Sequence, residues 1–216
     1  MNIARTIDHT LLKPDGTATQ VVTLCAEARE HHFASVCVLP WYVATAADNL
    51  RGSDVAVCTV VGFPLGASTT AIKVAEATDA ITRGATEIDM VAAVTAVKSG
   101  DWSACAGDIR AVTEACHQAG ALVKVIIETC LLTDDEKIRL CEIVTEAGAD
   151  FIKAATGFST GGATLHDVRL LRAHCGPDVR VKASGGIRDR ATAIAMIEAG
   201  ADRIGTSSGV IIVGGE

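Results

Sequence analysis

Three lysines each stand at the centre of a short apolar run: Val123-Lys124-Val125-Ile126, Phe151-Ile152-Lys153-Ala154 and Val181-Lys182-Ala183. A fourth run, Glu87-Ile88-Asp89-Met90-Val91, embeds an aspartate in the same way. If these runs are strands, successive side chains alternate between the two faces of a sheet. Ile88 and Met90 then pack under helices and turn Asp89 to the opposite face, and the same alternation turns Lys153 and Lys182 inward. Lys124 has apolar neighbours on both sides and is placed with them. Burial disfavours a charged ammonium, and a neighbouring ammonium disfavours it further. One lysine of such a group is expected to be largely neutral near physiological pH and therefore nucleophilic. An amine beside a second cation and a carboxylate is suited to Schiff-base chemistry on a carbonyl compound. The bland alternatives are a structural network of ion pairs, or lysines that snorkel out at strand ends.

Three glycine-rich segments follow the last of these runs: Thr156-Gly157-Phe158-Ser159-Thr160-Gly161-Gly162, Ser184-Gly185-Gly186-Ile187-Arg188 and Gly205-Thr206-Ser207-Ser208-Gly209. Glycine lets backbone approach a ligand closely, and Ser/Thr hydroxyls add donors, so such loops can cradle a dianion. One Gly-Gly turn is an ordinary tight turn. Three in succession suggest a site for a phosphorylated small molecule with a carbonyl group.

These residues need a scaffold that brings distant segments together. Strand-like runs occur at Ile7–Leu12, Ser35–Leu39, Val55–Val61, Glu87–Val91, Leu122–Ile127, Asp150–Ala154, Arg180–Ser184 and Arg203–Thr206. Helical patterns lie between them at Thr19–His31, Thr70–Thr82, Cys105–Gln118, Asp134–Ala147, Leu165–His174 and Arg190–Ala199. Several of these stop at a glycine: Gly84, Gly120, Gly148 and Gly200, the residue favoured just past a helix end. Eight strands alternating with helices, with no Pro/Gly-rich linker, predict a (β/α)8 TIM barrel of a single domain over residues 1–216. Barrel enzymes frequently hold phosphate after strands seven and eight. An open doubly wound sheet is the alternative, but it leaves polar residues at so many strand ends unexplained.

Composition narrows the function classes. The chain has 216 residues, 49% hydrophobic, with four Phe, two Trp and one Tyr, so its interior is built from aliphatic residues. The net charge is −7, with no basic block, which argues against nucleic acid as a partner. No apolar run approaches the roughly 18 residues of a membrane span, so no membrane partner is expected. The eight cysteines form no C-x-x-C pair and the six histidines show no ligand spacing, so no metal is expected. The start, Met-Asn-Ile-Ala-Arg-Thr, lacks an apolar signal core. A reduced, cytoplasmic protein is expected, its cysteines serving as small hydrophobes.

Along nearly its whole length the sequence resembles the deoxyribose-phosphate aldolase family. The resemblance rests on IDHTLLKP (7–14), SVCVLPWYV (35–43), VVGFPLGAST (60–69), GATEIDMV (84–91), VKSGDW (97–102), VKVIIET (123–129), DFIKAATGF (150–158), GGAT (161–164), VKASGGIR (181–188) and RIGTSSG (203–209). It implies a class I aldolase that cleaves 2-deoxy-D-ribose 5-phosphate to acetaldehyde and D-glyceraldehyde 3-phosphate, with no metal or organic cofactor, and a homodimer. By the same resemblance Lys153 is the Schiff-base lysine, Lys182 the second lysine that tunes it, and Asp89 the acid/base partner. Asp8 and Thr10 are implied at the sugar hydroxyls. Thr156, Gly157, Gly185, Gly186, Gly205, Ser207 and Ser208 are implied to bind the substrate around its phosphate, and Lys124 belongs to the polar substrate network rather than to the bond-making set.

Two departures from the family pattern stand out. Ala154-Ala155 replaces the usual Thr-Ser after the Schiff-base lysine, removing a hydroxyl from the inner face at Ala155. Some members end in a tyrosine that reaches the site; here the single tyrosine is Tyr42 and the last residue Glu216, so that contribution is expected to be absent or replaced. Cys37 and His9 are expected to pack rather than react, and Arg188 is placed either at the phosphate or at a helix start. The rival functions are a Schiff-base aldolase or transaldolase acting on a ketose phosphate, and a non-catalytic sugar-phosphate sensor. The trio Asp89, Lys153 and Lys182 argues against the sensor, which has no need to bury three charges.

Overall fold

The computed structural model describes residues 2–214. Eight parallel strands close into a barrel in sequence order: β1 Ile7–Leu11, β2 Ser35–Val38, β3 Ala56–Val61, β4 Glu87–Val91, β5 Leu122–Ile126, β6 Phe151–Lys153, β7 Arg180–Ser184 and β8 Arg203–Thr206. β1 pairs with both β2 and β8, which makes this the predicted TIM barrel rather than an open sheet. Around it run α1 Ala18–His31, α2 Val43–Leu50, α3 Thr70–Thr82, α4 Val94–Lys98, α5 Trp102–Gln118, α6 Asp134–Glu146, α7 Leu165–His174, α8 Arg190–Glu198 and α9 Gly209–Gly214.

All six helices read from the sequence form, within a few residues of their predicted ends. α5 starts at Trp102 rather than Cys105 because the Asp101 side chain accepts from the Ala104 amide and caps an extra turn. α1 and α6 open on reciprocal capping boxes, Thr17 with Gln20 and Thr133 with Glu136; a cap of this kind contributes about 1 kcal/mol. α2, α4 and α9 went unread, since helices of eight residues or fewer show too few turns for a period to emerge. At the end of α8, Gly200 has φ +114°, and a Cβ there would sit 2.8 Å from Arg172 Cγ, so glycine is required on both counts. Glu216, on which the missing-tyrosine expectation bears, lies outside the described residues. Tyr42 is engaged elsewhere, its hydroxyl donating to the Gly16 carbonyl at 2.7 Å.

The main hydrophobic core lies between barrel and helices, and includes Ile88, Met90, Ile152, Ala154, Val181 and Ala183. These are the outward-facing residues of the alternation. The inward-facing residues fall into layers of four contributed by alternate strands, the arrangement of barrels of this type. From the floor upward, register gives Ser35, Glu87, Phe151 and Arg203; then Asp8, Cys58, Lys124 and Lys182; then Cys37, Asp89, Lys153 and Gly205; and at the mouth Thr10, Val60, Ile126 and Ser184. Branched aliphatics usually dominate such layers. Here charge does. Among the described residues no helix is long and apolar enough to cross a membrane, and all eight cysteines are free.

Candidate active site

The two middle layers put Asp89 at the meeting point of all three predicted lysines. Lys153 Nζ and Lys182 Nζ both donate to Asp89 Oδ2, each at 2.7 Å, and Lys124 Nζ donates to Oδ1 at 2.8 Å. Burial alone would push the Asp89 carboxyl up, but Lys124, Lys153 and Lys182 together hold it well below the usual carboxylate range. Lys124 also pairs with Glu87 at 2.6 Å, and Lys182 with Asp8 Oδ2 at 2.5 Å. Burial would lower both of these ammonium groups. The carboxylates win, Asp89 chiefly for Lys124 and Asp8 for Lys182, and both are held above the ordinary lysine value. The expected depression by burial and by like charge is therefore overridden at these two positions.

Above the cluster opens a cavity of about 310 Å3. Its wall includes Thr10, Lys153, Thr156, Gly157, Gly185, Gly186, Gly205 and Ser207, eight of the residues singled out in the sequence. Of the three lysines on Asp89, Lys153 is the one on that wall. Lys182, Lys124 and Asp89 lie beneath or beside it, in contact with Lys153 or with its carboxylate.

Two placements correct the sequence-based expectations. Asp8 was expected at the sugar hydroxyls, but it is fully buried one layer below Lys153 and spends its carboxylate on Lys182 and Arg203. Burial would raise that carboxyl; Lys182, Lys124 and Arg203 hold it far below its ordinary value instead. It is an anchor for cations, not a cavity-wall residue. Ser208 is also not among the residues that line the cavity, and its amide donates to Thr206 Oγ1 at 2.9 Å. Lys124, expected in the polar network, is there, but it does not reach the cavity.

The three glycine loops do converge. Thr156 is locked by the buried Glu128, which accepts from the Thr156 amide at 3.1 Å and from its hydroxyl. Gly162 and Gly185 pack backbone to backbone: a Cβ on Gly162 would lie 2.2 Å from the Gly185 carbonyl oxygen. Ala155 faces this seam, its Cβ 3.6 Å from where a Gly185 Cβ would be, and its carbonyl accepts from Ser184 Oγ at 2.5 Å. The inner-face hydroxyl missing at Ala155 is thus matched by one at Ser184 directed to the same backbone. Arg188, left open between phosphate and surface, is on the cavity wall.

Several participants were not read from the sequence. Glu87 and Arg203 complete the ion cluster, and Ser184, Thr206 and Phe158 line the cavity. The signal for Glu87 was available, since it is two residues from Asp89 on the same face. Arg203 is likewise two residues from Gly205. Cys37 and His9 are both buried. Cys37 lies beside Cys58 and Asp89, and His9 Nε2 bonds Glu27 at 2.6 Å while its ring meets Phe33 edge-on. Cys58 sits between Asp89 Oδ1 at 3.1 Å and Lys124 at 3.2 Å.

An amine on the wall of a cavity, backed by a carboxylate and a second ammonium and faced by glycine-rich loops, has the groups needed to form a Schiff base with a carbonyl compound. The chain is similar to known proteins over its whole length. A profile of the DeoC/LacD aldolase family matches residues 3–213. The chain is 60% identical to the deoxyribose-phosphate aldolase of Brevibacillus brevis and 57% identical to that of Listeria monocytogenes, each alignment spanning all of this chain and 96% of the relative. Among solved structures, the deoxyribose-phosphate aldolase of Aeropyrum pernix, described as tetrameric, superposes with a TM-score of 0.92 at 35% identity, over 98% of this chain and 89% of that one. With full-length matches in sequence and in fold, the chain belongs to the DeoC/LacD family of aldolases.

Proposed function

We propose that this protein is a class I deoxyribose-phosphate aldolase, reversibly cleaving 2-deoxy-D-ribose 5-phosphate to D-glyceraldehyde 3-phosphate and acetaldehyde, with Lys153 as its nucleophile. The observation that carries the assignment is that Lys153, alone of the three lysines on Asp89, lines the cavity. As the free amine, Lys153 Nζ adds to C1 of the open-chain sugar, and loss of water gives an iminium. The iminium is an electron sink. Removal of the C3 hydroxyl proton lets the C2–C3 bond break, its electron pair passing to C2 to form the enamine while C3 leaves as the aldehyde of glyceraldehyde 3-phosphate. Protonation of the enamine at C2 and hydrolysis release acetaldehyde and restore Lys153.

Asp89 and Lys182 are the groups suited to the proton transfers, since both contact the nitrogen or its hydrogen-bond partner. Gly157, Gly185, Gly186, Gly205 and Ser207 hold the phosphate with backbone amides and a hydroxyl, Arg188 adds charge, and Thr10 and Thr156 meet the sugar. Lys124 and Asp8 act from below by fixing the charges around Asp89 and Lys182. Asp8, Lys124 and Ser208 are left out of direct substrate contact.

We further propose that the enzyme works in the cytoplasm as a homodimer. The eight free thiols suit a reducing compartment, and homo-association is in keeping with the assembly described for the A. pernix relative. Incubation with 2-deoxyribose 5-phosphate and borohydride, followed by peptide mapping, tests the central assignment. A reduced adduct on Lys153 is expected, and an adduct on Lys182 or none at all would overturn it.

A further inference from the structure

Resting on the assignment of Lys153 as the amine, we propose that Glu87 and Arg203, on the barrel floor and away from the cavity wall, are positioning residues that set the charge of the reactive cluster. Arg203 Nη2 donates to Glu87 Oε1 at 2.9 Å, and Nη1 lies 3.3 Å from Glu87 Oε2 and pairs with Asp8 Oδ1. The guanidinium also sits over Phe151, 5.6 Å from the ring centroid. Two chains of ion pairs rise from this one guanidinium. The first runs Arg203–Asp8–Lys182–Asp89, and the second Arg203–Glu87–Lys124–Asp89. Both end on the carboxylate that receives Lys153.

The count of charges gives the arrangement its meaning. Groups facing this interior come from every strand: Asp8 on β1, Cys37 on β2, Cys58 on β3, Glu87 and Asp89 on β4, Lys124 on β5, Lys153 on β6, Lys182 on β7 and Arg203 on β8. With the two cysteines as thiols, three carboxylates face four basic groups. Lys124, Lys182 and Arg203 balance Asp8, Glu87 and Asp89 before Lys153 is counted. Lys13 and Arg188 at the open mouth, and the exposed Arg180 whose guanidinium lies 4.0 Å from the Phe151 ring centroid at the floor, add positive charge that water screens. The buried Glu128 carboxylate is spent on the Thr156 amide and hydroxyl. An unbalanced charge in a buried cluster is unfavourable. Lys153 is the surplus base, and it is also the one on the cavity wall, so it can give its proton up to solvent or substrate. Without Arg203 the same proton would complete the balance and be retained.

Removing the cation in Arg203→Met makes protonation of Lys153 more favourable and moves the acid limb of its reactivity to higher pH. Removing an anion in Glu87→Gln does the opposite. The test is the pH dependence of borohydride trapping in the intact protein and in Arg203→Met, Glu87→Gln, the double variant and Arg203→Lys, with peptide mapping of the adduct and circular dichroism as a check on folding. Arg203→Met is expected to move the acid limb up by about half to one pH unit, slowing trapping on that limb about three- to tenfold, with Glu87→Gln moving it down by a similar amount. The double variant and Arg203→Lys, in which net charge is preserved, should return close to the parent. Single variants that shift in the same direction, or not at all, while the adduct stays on Lys153, would overturn the inference and leave the nucleophile assignment standing. An adduct on another residue in the parent would remove both. If Arg203→Met does not fold, the near-isosteric Glu87→Gln decides alone: an unmoved or raised limb overturns the inference.

Discussion

Lys153 and Lys182 share a single acceptor atom, Asp89 Oδ2, at 2.7 Å each. They are also direct register partners on β6 and β7. Two lysines so placed are not interchangeable, because Lys182 has a second carboxylate in Asp8 and Lys153 has the cavity. Lys153→Ala should therefore abolish both activity and borohydride trapping. Lys182→Met should still trap at Lys153, but slowly and with its pH dependence moved upward, since a neighbouring cation has been removed. Intact-mass measurement of trapped adduct over a pH series checks this, and normal trapping by Lys153→Ala would contradict it.

If the three glycine loops hold phosphate as proposed, the effect of substitution differs between two adjacent serines. Ser207 lines the cavity and Ser208 does not. Ser207→Asp should raise the apparent KM for the phosphorylated sugar by about tenfold or more, as loss of a charge-assisted contact removes roughly 1.5–3 kcal/mol. Ser208→Asp should have the smaller effect. Steady-state kinetics with 2-deoxyribose and its 5-phosphate separates the two, and equal kcat/KM for both sugars would dismiss the phosphate site.

Gly162 offers a mechanical test of the same region. A methyl group there would meet the Gly185 carbonyl oxygen at 2.2 Å, and that oxygen belongs to backbone, which cannot swing aside as a side chain can. Gly162→Ala should lower stability by about 1–3 kcal/mol and raise KM more than it lowers kcat. Thermal melting and kinetics measured together would show a change in neither if the two loops were free to separate.

Acid stability depends on Asp8 and Asp89, both held below the ordinary aspartate value of 3.8 in the folded state. In the unfolded chain they take up protons near that value. Their contribution is thus fully present above about pH 4 to 5 and is lost as pH falls further toward their folded values. Denaturant titrations from pH 6 to pH 3 should show the midpoint dropping, and Asp8→Asn should flatten the drop while lowering the plateau. A slope unchanged in Asp8→Asn would assign the acid sensitivity to other carboxylates.

The cluster was legible in the sequence to the extent that alternation makes a face. Asp89, Lys153 and Lys182 declared themselves because a charge flanked by apolar residues on both sides has one direction left to point. Arg203 did not, because its run Arg-Ile-Gly-Thr is short and begins with the charge, where a surface strand end reads the same way. Asp8 was placed at the sugar hydroxyls by the family resemblance alone, and the register sets it one layer below Lys153. Depth along a barrel axis follows from the stagger between strands, which requires all eight registers at once and is invisible in any single segment. The glycine loops act locally through backbone freedom, yet one alone reads as an ordinary tight turn, and only the three in succession point to a shared site.

Filling the barrel axis with ions rather than branched aliphatics alters how the protein responds to temperature. Exposure of apolar surface raises the heat capacity on unfolding, and exposure of polar surface lowers it. Three of the four inner layers hold two or three charged side chains each, seven in all, which are released when the barrel opens. The hydration that these ions regain becomes less favourable as water warms, so the penalty for keeping them dry shrinks with heating. The consequence is a flatter stability curve than an aliphatic barrel of equal length would have, with the reactive centre itself contributing to tolerance of heat.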